Sequence, residues 1–255
     1  MLLTSSFRIT LVAACLAGNS FGQLWTDAAD KTLPLDFQIQ GEYAGKKMGA
    51  QVIALGKGRF HAVMYPGGLP GAGWDGQNKS LLDGKLEGDK ALFTAAAGSR
   101  SYMAREADKF SATRNFPPKG HKPYSGSISK GVFSGSSSTG AQFSLKRIVR
   151  KSPSLGAKPP RDAVVLFDGT KESMKNWQGG RFDEKTGLLN TDGNDIRTKQ
   201  KFLNYIMHVE FMLPFKPDAR SQGRGNSGFY QVDMYEMQIL DSFGLMGLNN
   251  ECGGI

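Results

Sequence analysis

Apolar and polar residues alternate with a period of two along residues 36–148, and glycine or proline turns interrupt the alternation. In segment 59–65, for example, Phe60, Ala62 and Met64 fall on one face. This pattern is typical of half-buried strands, because successive strand side chains point to opposite faces. The alternation therefore predicts a small antiparallel β-domain over residues 30–148.

Two short turns in this region predict its connections. Segments 85–89 and 127–131 each lie between strand-like runs and contain glycine, so we expect β-hairpins there. Segment 97–122 is irregular and polar, which indicates a surface excursion. Helical periodicity is weak along the whole chain, which favours an all-β protein.

The formal net charge is +9, and the basic residues are densest between positions 146 and 161. There they are mixed with serine and proline rather than with aromatic residues. A nucleic-acid site is expected to combine basic and aromatic residues on a recognisable module. The composition instead indicates an extended linker over residues 149–162 and no nucleic-acid partner.

Residues 1–22 have the features of a secretory signal peptide. Arg8 supplies a positive charge, ten apolar residues follow, and Ser20 and Gly22 are the small residues before the cleavage point. Ten residues are too few to cross a bilayer of roughly 30 Å, so no membrane span is expected. We therefore expect an exported protein, periplasmic or extracellular. Lipoprotein anchoring through Cys15 is the alternative, but the spacing after Arg8 is short for it.

Loss of the signal peptide would also remove Cys15 and leave Cys252 as the one cysteine. An odd cysteine in an exported protein indicates a buried thiol, an intermolecular bridge or a partner that is missing from the sequence. The three histidines share no metal-ligand spacing with each other or with cysteine, so zinc is not expected.

Acidic side chains interrupt an apolar strand pattern near the end of the chain. A glycine-rich turn over 223–228 leads into a strand that contains Glu236, Gln238 and, at its end, Asp241. Polar groups in a buried strand are costly unless they are paired, hydrated or used in function. This strand is therefore the candidate floor of an active site. Segments 163–167 and 202–213 are further predicted strands.

Five motifs in this part of the chain together resemble the 3-keto-disaccharide hydrolase family. They are Val-Leu-Phe-Asp-Gly at 165–169, the strand around 208–211, Gly-Arg-Gly-Asn-Ser-Gly at 223–228, Tyr-Glu-Met-Gln-Ile-Leu-Asp-Ser at 235–242 and Asn-Glu-Cys-Gly-Gly at 250–254. The family belongs to the concanavalin A-like lectin/glucanase superfamily. The resemblance implies that residues 163–255 are the amino-terminal part of a jelly-roll sandwich. We expect that sandwich to be incomplete here, in a fragment of a longer gene product.

The resemblance also implies where the chemistry lies. Related glucanases carry Glu-x-Asp-x-x-Glu on one strand, and a one-residue bulge before Asp241 would give this chain Glu-x-Gln-x-x-Asp on one face. Glu236 and Asp241 are then the expected base and acid, in an order left open. The residues expected to bind substrate are Gln238, Asn226, Arg224 and Tyr235.

Arg224 is expected near the carbonyl oxygen of a keto sugar. A divalent cation such as Ca²⁺, held by the oxygens of Glu236, Asp241 and Asn226, is the alternative electrophile. No other cofactor is implied. Three readings of the whole chain remain open: an exported enzyme that cleaves 3-keto-glycosides, a lectin-like carbohydrate-binding module on the same fold, or a scaffold that tethers the sugar domain.

Overall fold

The computed structural model describes residues 25–255. The predicted signal peptide and Cys15 lie outside these residues. The described chain is 37% strand and 6% helix. The all-β prediction is therefore confirmed.

Eight antiparallel strands close into a barrel between residues 41 and 148. Two shorter strands, β6 (Ser101–Tyr102) and β7 (Phe110–Ser111), form a parallel pair in the insertion between β5 and β8. The barrel strands are β1 (Gly41–Ala44), β2 (Met48–Gly56), β3 (Arg59–Pro66), β4 (Ser80–Glu87), β5 (Lys90–Ala95), β8 (Tyr124–Ser129), β9 (Val132–Ser137) and β10 (Gln142–Ile148). Their order around the barrel is β1-β10-β9-β8-β5-β4-β3-β2.

Both predicted hairpins form, one between β4 and β5 and one between β8 and β9. Every second side chain of each barrel strand points into the barrel, and these side chains form the main core. Large members of that core are Tyr43, Phe60, Met64, Phe93, Phe133 and Leu145. A short helix, α1 (Leu35–Ile39), packs against the same core together with Trp25 and Phe215. This barrel is the antiparallel architecture that the alternation indicates.

The outer face of β2, β3 and β4 is also buried. A second apolar cluster covers it, with contributions from the insertion (Phe110, Ala112) and from the end of the chain (Phe243, Leu245). The insertion was predicted as a polar surface excursion, and this is wrong for residues 110–113, which are buried. The prediction failed because two apolar side chains among many polar ones gave no periodic signal.

Residues 151–162 are exposed and contain no helix or strand. The following segment contains three two-stranded sheets, which pair β11 with β14, β12 with β13 and β15 with β16. Its elements are the 3-10 helix Lys171–Asn176, β11 (Trp177–Gln178), β12 (Arg181–Asp183), β13 (Leu188–Asn190), β14 (Arg197–Thr198), the 3-10 helix Ser221–Gly223, β15 (Asn226–Gln231) and β16 (Tyr235–Leu240). The jelly-roll part of the prediction is not confirmed by these small sheets.

The strands predicted at 163–167 and 202–213 do not form. Segment 202–213 has alternating residues, but none of its backbone groups pairs with a strand in the described chain. A strand needs a neighbour to accept its ladder hydrogen bonds, so side-chain alternation alone does not create one. Leu203 and Ile206 are accordingly almost fully exposed.

Within residues 25–255, no helix has the length and apolar character needed to cross a bilayer.

Candidate functional site

The candidate site residues lie on and beside the hairpin of β15 and β16. The two strands pair over six residues, from Asn226 opposite Leu240 to Gln231 opposite Tyr235. The connecting turn has Val232 and Asp233 at φ 49° and 58°. The Met234 N–H donates to the Gln231 carbonyl at 3.0 Å, so these two left-handed residues are the central pair of a tight turn. Of the glycine-rich turn predicted at 223–228, residues 223–225 lie outside the strands, whereas residues 226–228 belong to β15.

The bulge predicted before Asp241 is absent. The ladder runs without a register shift, and the Asp241 N–H donates to the Gly225 carbonyl at 2.9 Å in the same register. Glu236 and Asp241 are an odd number of positions apart in the strand, so their side chains project to opposite faces of the ribbon. Five residues of strand also separate them by about 16 Å along the chain. The structure does not bring these two carboxylates together.

Glu236 lies near the turn end of the hairpin. It is half-buried against Gly228 on the facing strand and opposite Tyr230. A hydrogen bond with Glu236 raises the pKa of the Tyr230 hydroxyl. Tyr235, the neighbouring predicted binding residue, is 62% exposed. These groups form a polar and aromatic surface at the turn end of the hairpin.

Gln238 and Asn226 lie nearer to the other end. The Gln238 side chain is buried, and its Oε1 has no hydrogen-bond partner among the described residues. Its backbone N–H donates to the Gly254 carbonyl at 2.9 Å. Asn226 is exposed at the start of β15. The amide of Gln238 is thus free to accept a hydrogen bond from a ligand or from water.

Asp241 and Arg224 form a buried ion pair. Arg224 Nε donates to Asp241 Oδ2 at 2.7 Å. The other nitrogens of the guanidinium donate to the barrel, at 2.9 Å to the Ala54 carbonyl and at 3.1 Å to Gln40 Oε1. Arg224 was predicted to face a ligand carbonyl, and here its hydrogen bonds go to the protein.

A narrow cleft opens beside this ion pair, between the hairpin end and the barrel. Its polar walls are Arg220, Ser221, Arg224 and Asp241, and its apolar walls include Phe110 of the insertion. Arg220 donates to the Leu55 carbonyl at 2.9 Å. That carbonyl lies within the irregularity of β2 between residues 54 and 56. A bulge of this kind turns carbonyls out of the ladder, where side chains can bind them.

Sequence reasoning missed Arg220 and Ser221. The available signal was the pair of arginines at positions 220 and 224, close together around a glycine in an otherwise polar loop. Burial, followed by the nearby charge of Arg224, lowers the pKa of Arg220 to about 10. The charge of Asp218 also acts on Arg220, so the two arginines face two carboxylates, Asp218 and Asp241.

Residues 162–255 match the family model described as the 3-keto-alpha-glucoside-1,2-lyase-like domain. The resemblance seen in the sequence is confirmed. The 3-keto-alpha-glucoside-1,2-lyase-like segment contains the hairpin and every predicted site residue, whereas the barrel lies outside it. The match supports an activity on carbohydrates. No curated protein and no solved structure matches the chain.

A larger cavity of about 640 Å³ lies against the hairpin face that carries Phe229, Met237 and Ile239. Residues 203–211 line one wall, and Phe229, Met237 and Ile239 line the other. The polar groups here include His208, whose Nε2 lies 3.1 Å from Glu210 Oε1. The lining combines apolar and polar residues, and the cavity contains none of the predicted catalytic residues.

The residues predicted to hold a cation do not share one site. Asn226 and Asp241 are near neighbours across the ladder, but Glu236 lies at the other end of the strand. Among residues 25–255 there is no group of three or more His, Cys, Asp or Glu side chains arranged for a metal.

Cys252, the odd cysteine, is exposed.

Proposed function

We propose that this protein cleaves 3-keto-glycosides by elimination across C1 and C2 of the keto sugar, with later addition of water giving net hydrolysis. The observation that carries this proposal is the buried Asp241–Arg224 pair beside a narrow cleft of about 10 Å³, within the segment that matches a 1,2-lyase-like family. We also propose that the protein acts after export, in the periplasm or outside the cell, because residues 1–22 resemble a signal peptide.

The chemistry follows from the ketone at C3. The carbonyl acidifies the hydrogen on C2, so a carboxylate can remove that proton and leave an enolate with its negative charge on the C3 oxygen. The enolate then re-forms the ketone and a C1–C2 double bond, and the aglycone leaves C1 with its bonding electrons. A proton donor neutralises the leaving oxygen. The reaction needs a base, a donor to the C3 oxygen and an acid.

Asp241 is the proposed base. Arg224 binds Oδ2, while Oδ1 accepts, from the described residues, only one long hydrogen bond, at 3.4 Å from the Phe243 N–H. Oδ1 is therefore the oxygen that can accept a proton, and the arginine fixes its direction. Glu236 and Gln238 project from the other face of the ribbon, and Glu236 is about 16 Å away along the strand. We therefore assign neither of them a contact with the sugar at Asp241.

The test uses the full-length chain and a 4-nitrophenyl 3-keto-α-glucoside, with release of nitrophenol as the readout. We expect turnover by the wild type. Asp241→Asn should lower kcat by about 10²–10⁴-fold, the usual contribution of a positioned base. Glu236→Gln, on the other face of the ribbon, should leave kcat and KM close to the wild-type values. An active Asp241→Asn protein, or a wild type that does not release nitrophenol, would contradict the assignment.

A lectin-like carbohydrate-binding module is the second candidate. Tyr230 and Tyr235 are 51% and 62% exposed on neighbouring strands, and exposed aromatic rings beside a carboxylate suit the apolar face and hydroxyls of a sugar. This reading predicts saturable binding of the nitrophenyl keto-glucoside without product. Loss of that binding in Tyr235→Ala with no turnover in the wild type would favour it over the enzyme.

We further infer that segment 203–211 and the hairpin are facing layers of a concanavalin A-like sandwich. Support comes from alternation, because Tyr205, Met207, Val209 and Phe211 line the same cavity as Phe229 and Ile239. In a formed sandwich the amides of 203–211 would be hydrogen-bonded. Slow amide hydrogen exchange there would support the inference, and exchange at the rate of a free peptide would contradict it.

A further inference from the structure

One buried hydrogen-bond donor at the cleft has no acceptor. Arg220 uses its terminal nitrogens for the carbonyls of Leu55, Pro217 and Ala219. Its Nε is buried and, among the described residues, has no hydrogen-bond partner. Leaving a buried donor unpaired is costly, and more so for a charged group, so such groups call for an explanation.

Arg224 is less able than Arg220 to donate a hydrogen bond to a ligand. Arg224 is 5% exposed and engages Asp241, the Ala54 carbonyl and Gln40. A ligand oxygen that bound Arg224 would have to displace one of these partners. Arg220 lines the same cleft with its Nε–H still unused.

Ser221, the next residue, is held in an unfavourable backbone conformation. Its φ is 50°, in the left-handed region that non-glycine residues rarely adopt. Strain of this kind persists where the surrounding structure enforces it, and it is frequent at ligand sites. The conformation places Ser221 in the wall of the cleft between Arg220 and Arg224.

We propose that Arg220 Nε and the Ser221 hydroxyl form a subsite for one oxygen of the ligand, the carbonyl oxygen that becomes the enolate oxygen when Asp241 removes the neighbouring proton. The inference rests on the function proposed above. The narrowness of the cleft suits a single oxygen rather than a whole sugar ring. The unpaired N–H of the cationic Arg220 side chain suits an oxygen that gains negative charge in the transition state.

The kinetic test compares full-length variants on the nitrophenyl keto-glucoside. Arg220→Lys retains the charge but lacks the Nε–H, and we expect kcat to fall by about 10²–10³-fold with a small change in KM, because the donor acts mainly on the developing charge. Arg105→Lys, at an exposed position on the insertion, is the matched control and should match the wild type.

Ser221→Gly covers the case in which Arg220→Lys fails to fold. Glycine tolerates φ 50°, so this variant should have an unchanged or higher melting temperature and still a lower kcat. Lys130→Gly, a left-handed position in the hairpin between β8 and β9, is its control and should keep full activity. A purely structural role for Ser221 would leave kcat unchanged. Folded Arg220→Lys and Ser221→Gly proteins with wild-type kcat would overturn the subsite and leave the proposed function standing.

A binding arm separates the two hypotheses if the wild type shows no turnover. Calorimetric titration with 3-keto-glucose should then show binding that Arg220→Lys weakens at least tenfold and Arg105→Lys does not. That result would retain the subsite although the enzyme assignment had failed. Equal binding by all variants, or no binding by the wild type, would overturn the subsite.

Discussion

Arg224 Nε donates to Asp241 Oδ2 at 2.7 Å, and the two side chains are only 5% and 8% exposed. Taking both charges out of water is costly, and the cost is offset only where the remaining donors are also bound. Here the Ala54 carbonyl and Gln40 complete the arginine's hydrogen bonds. The barrel, which lies outside the family match, therefore holds the residue that orients Asp241.

Replacing Arg224 should destabilise the protein strongly. Arg224→Leu leaves the Asp241 carboxylate buried without its cation, and we expect a loss of about 3–5 kcal/mol in the free energy of unfolding. Arg181→Leu is the control, because Arg181 pairs with Asp192 at 2.9 Å on an exposed surface, where such pairs contribute up to about 1 kcal/mol. Urea unfolding of the two variants measures the difference. Equal losses in the free energy of unfolding would show that the buried ion pair contributes no more to stability than the exposed one.

A substitution in the turn of the β15–β16 hairpin should raise the free energy of unfolding. Val232 is β-branched and has φ 49°, a conformation in which its side chain is strained. Asparagine tolerates the left-handed region, so Val232→Asn should stabilise the protein by on the order of 0.5–1 kcal/mol. Val232 is 78% exposed, and little packing is lost. Val164→Asn, at an exposed position with ordinary φ, should give no gain in urea unfolding. A loss of stability in Val232→Asn would contradict the turn geometry.

The sequence predicted the barrel strands well because each has a neighbour in the chain and an alternating pattern that matches its pleat. The hairpins at 85–89 and 127–131 are local, so a turn and two flanking runs were enough. Segment 202–213 has equally good alternation and forms no strand. A strand forms only where a second strand pairs with it, and the alternation of one segment does not show whether such a second strand is present.

The candidate site shows the same limit. Asp241 was predicted from its place in an apolar strand and Arg224 from the resemblance, but the anchoring of their ion pair to Ala54 and Gln40 depends on contacts between residues 170 and 184 positions apart in the chain. The bulge before Asp241 was inferred from a related motif, and the regular ladder excludes it. Arg220 was missed because its importance lies in an unpaired nitrogen, which only the folded chain reveals.

Segment 246–254 is bound to the insertion between β5 and β8 through Glu251, which is 1% exposed. Its carboxylate accepts hydrogen bonds from the Tyr102 hydroxyl and from the backbone of Gly247 and Leu248. Tyr102→Phe removes one donor to a buried charge, and we expect a loss of about 1.5–3 kcal/mol. Amide exchange at residues 246–254 should accelerate in this variant.

Tyr205→Phe is the control for that measurement, because Tyr205 is 44% exposed and its hydroxyl makes no hydrogen bond to a described residue. Its exchange at residues 246–254 should be that of the wild type. Unchanged exchange in Tyr102→Phe would mean that the two backbone donors alone hold Glu251.

Acid should destabilise the barrel through His61. The ring is fully buried, Nδ1 lies 3.2 Å from Asp83 Oδ1, and Nε2 has no partner among the described residues. Burial lowers the pKa of His61 despite the opposing effect of Asp83. The unfolded chain takes up a proton near the ordinary value of 6.5, whereas the folded protein does so only at lower pH. Stability is therefore present above pH 6.5 and is lost as pH falls towards the folded pKa.

His61→Asn tests this directly, because asparagine can still donate to Asp83 but cannot be protonated. Between pH 7.5 and 5.5 the free energy of unfolding of the wild type should fall more steeply than that of the variant, by up to about 1.4 kcal/mol per pH unit. His121, whose pKa burial also lowers, remains in both proteins and leaves a residual slope. His208→Asn, at an exposed position, should keep the wild-type slope. Parallel curves for wild type and His61→Asn would show that His61 does not set the acid sensitivity.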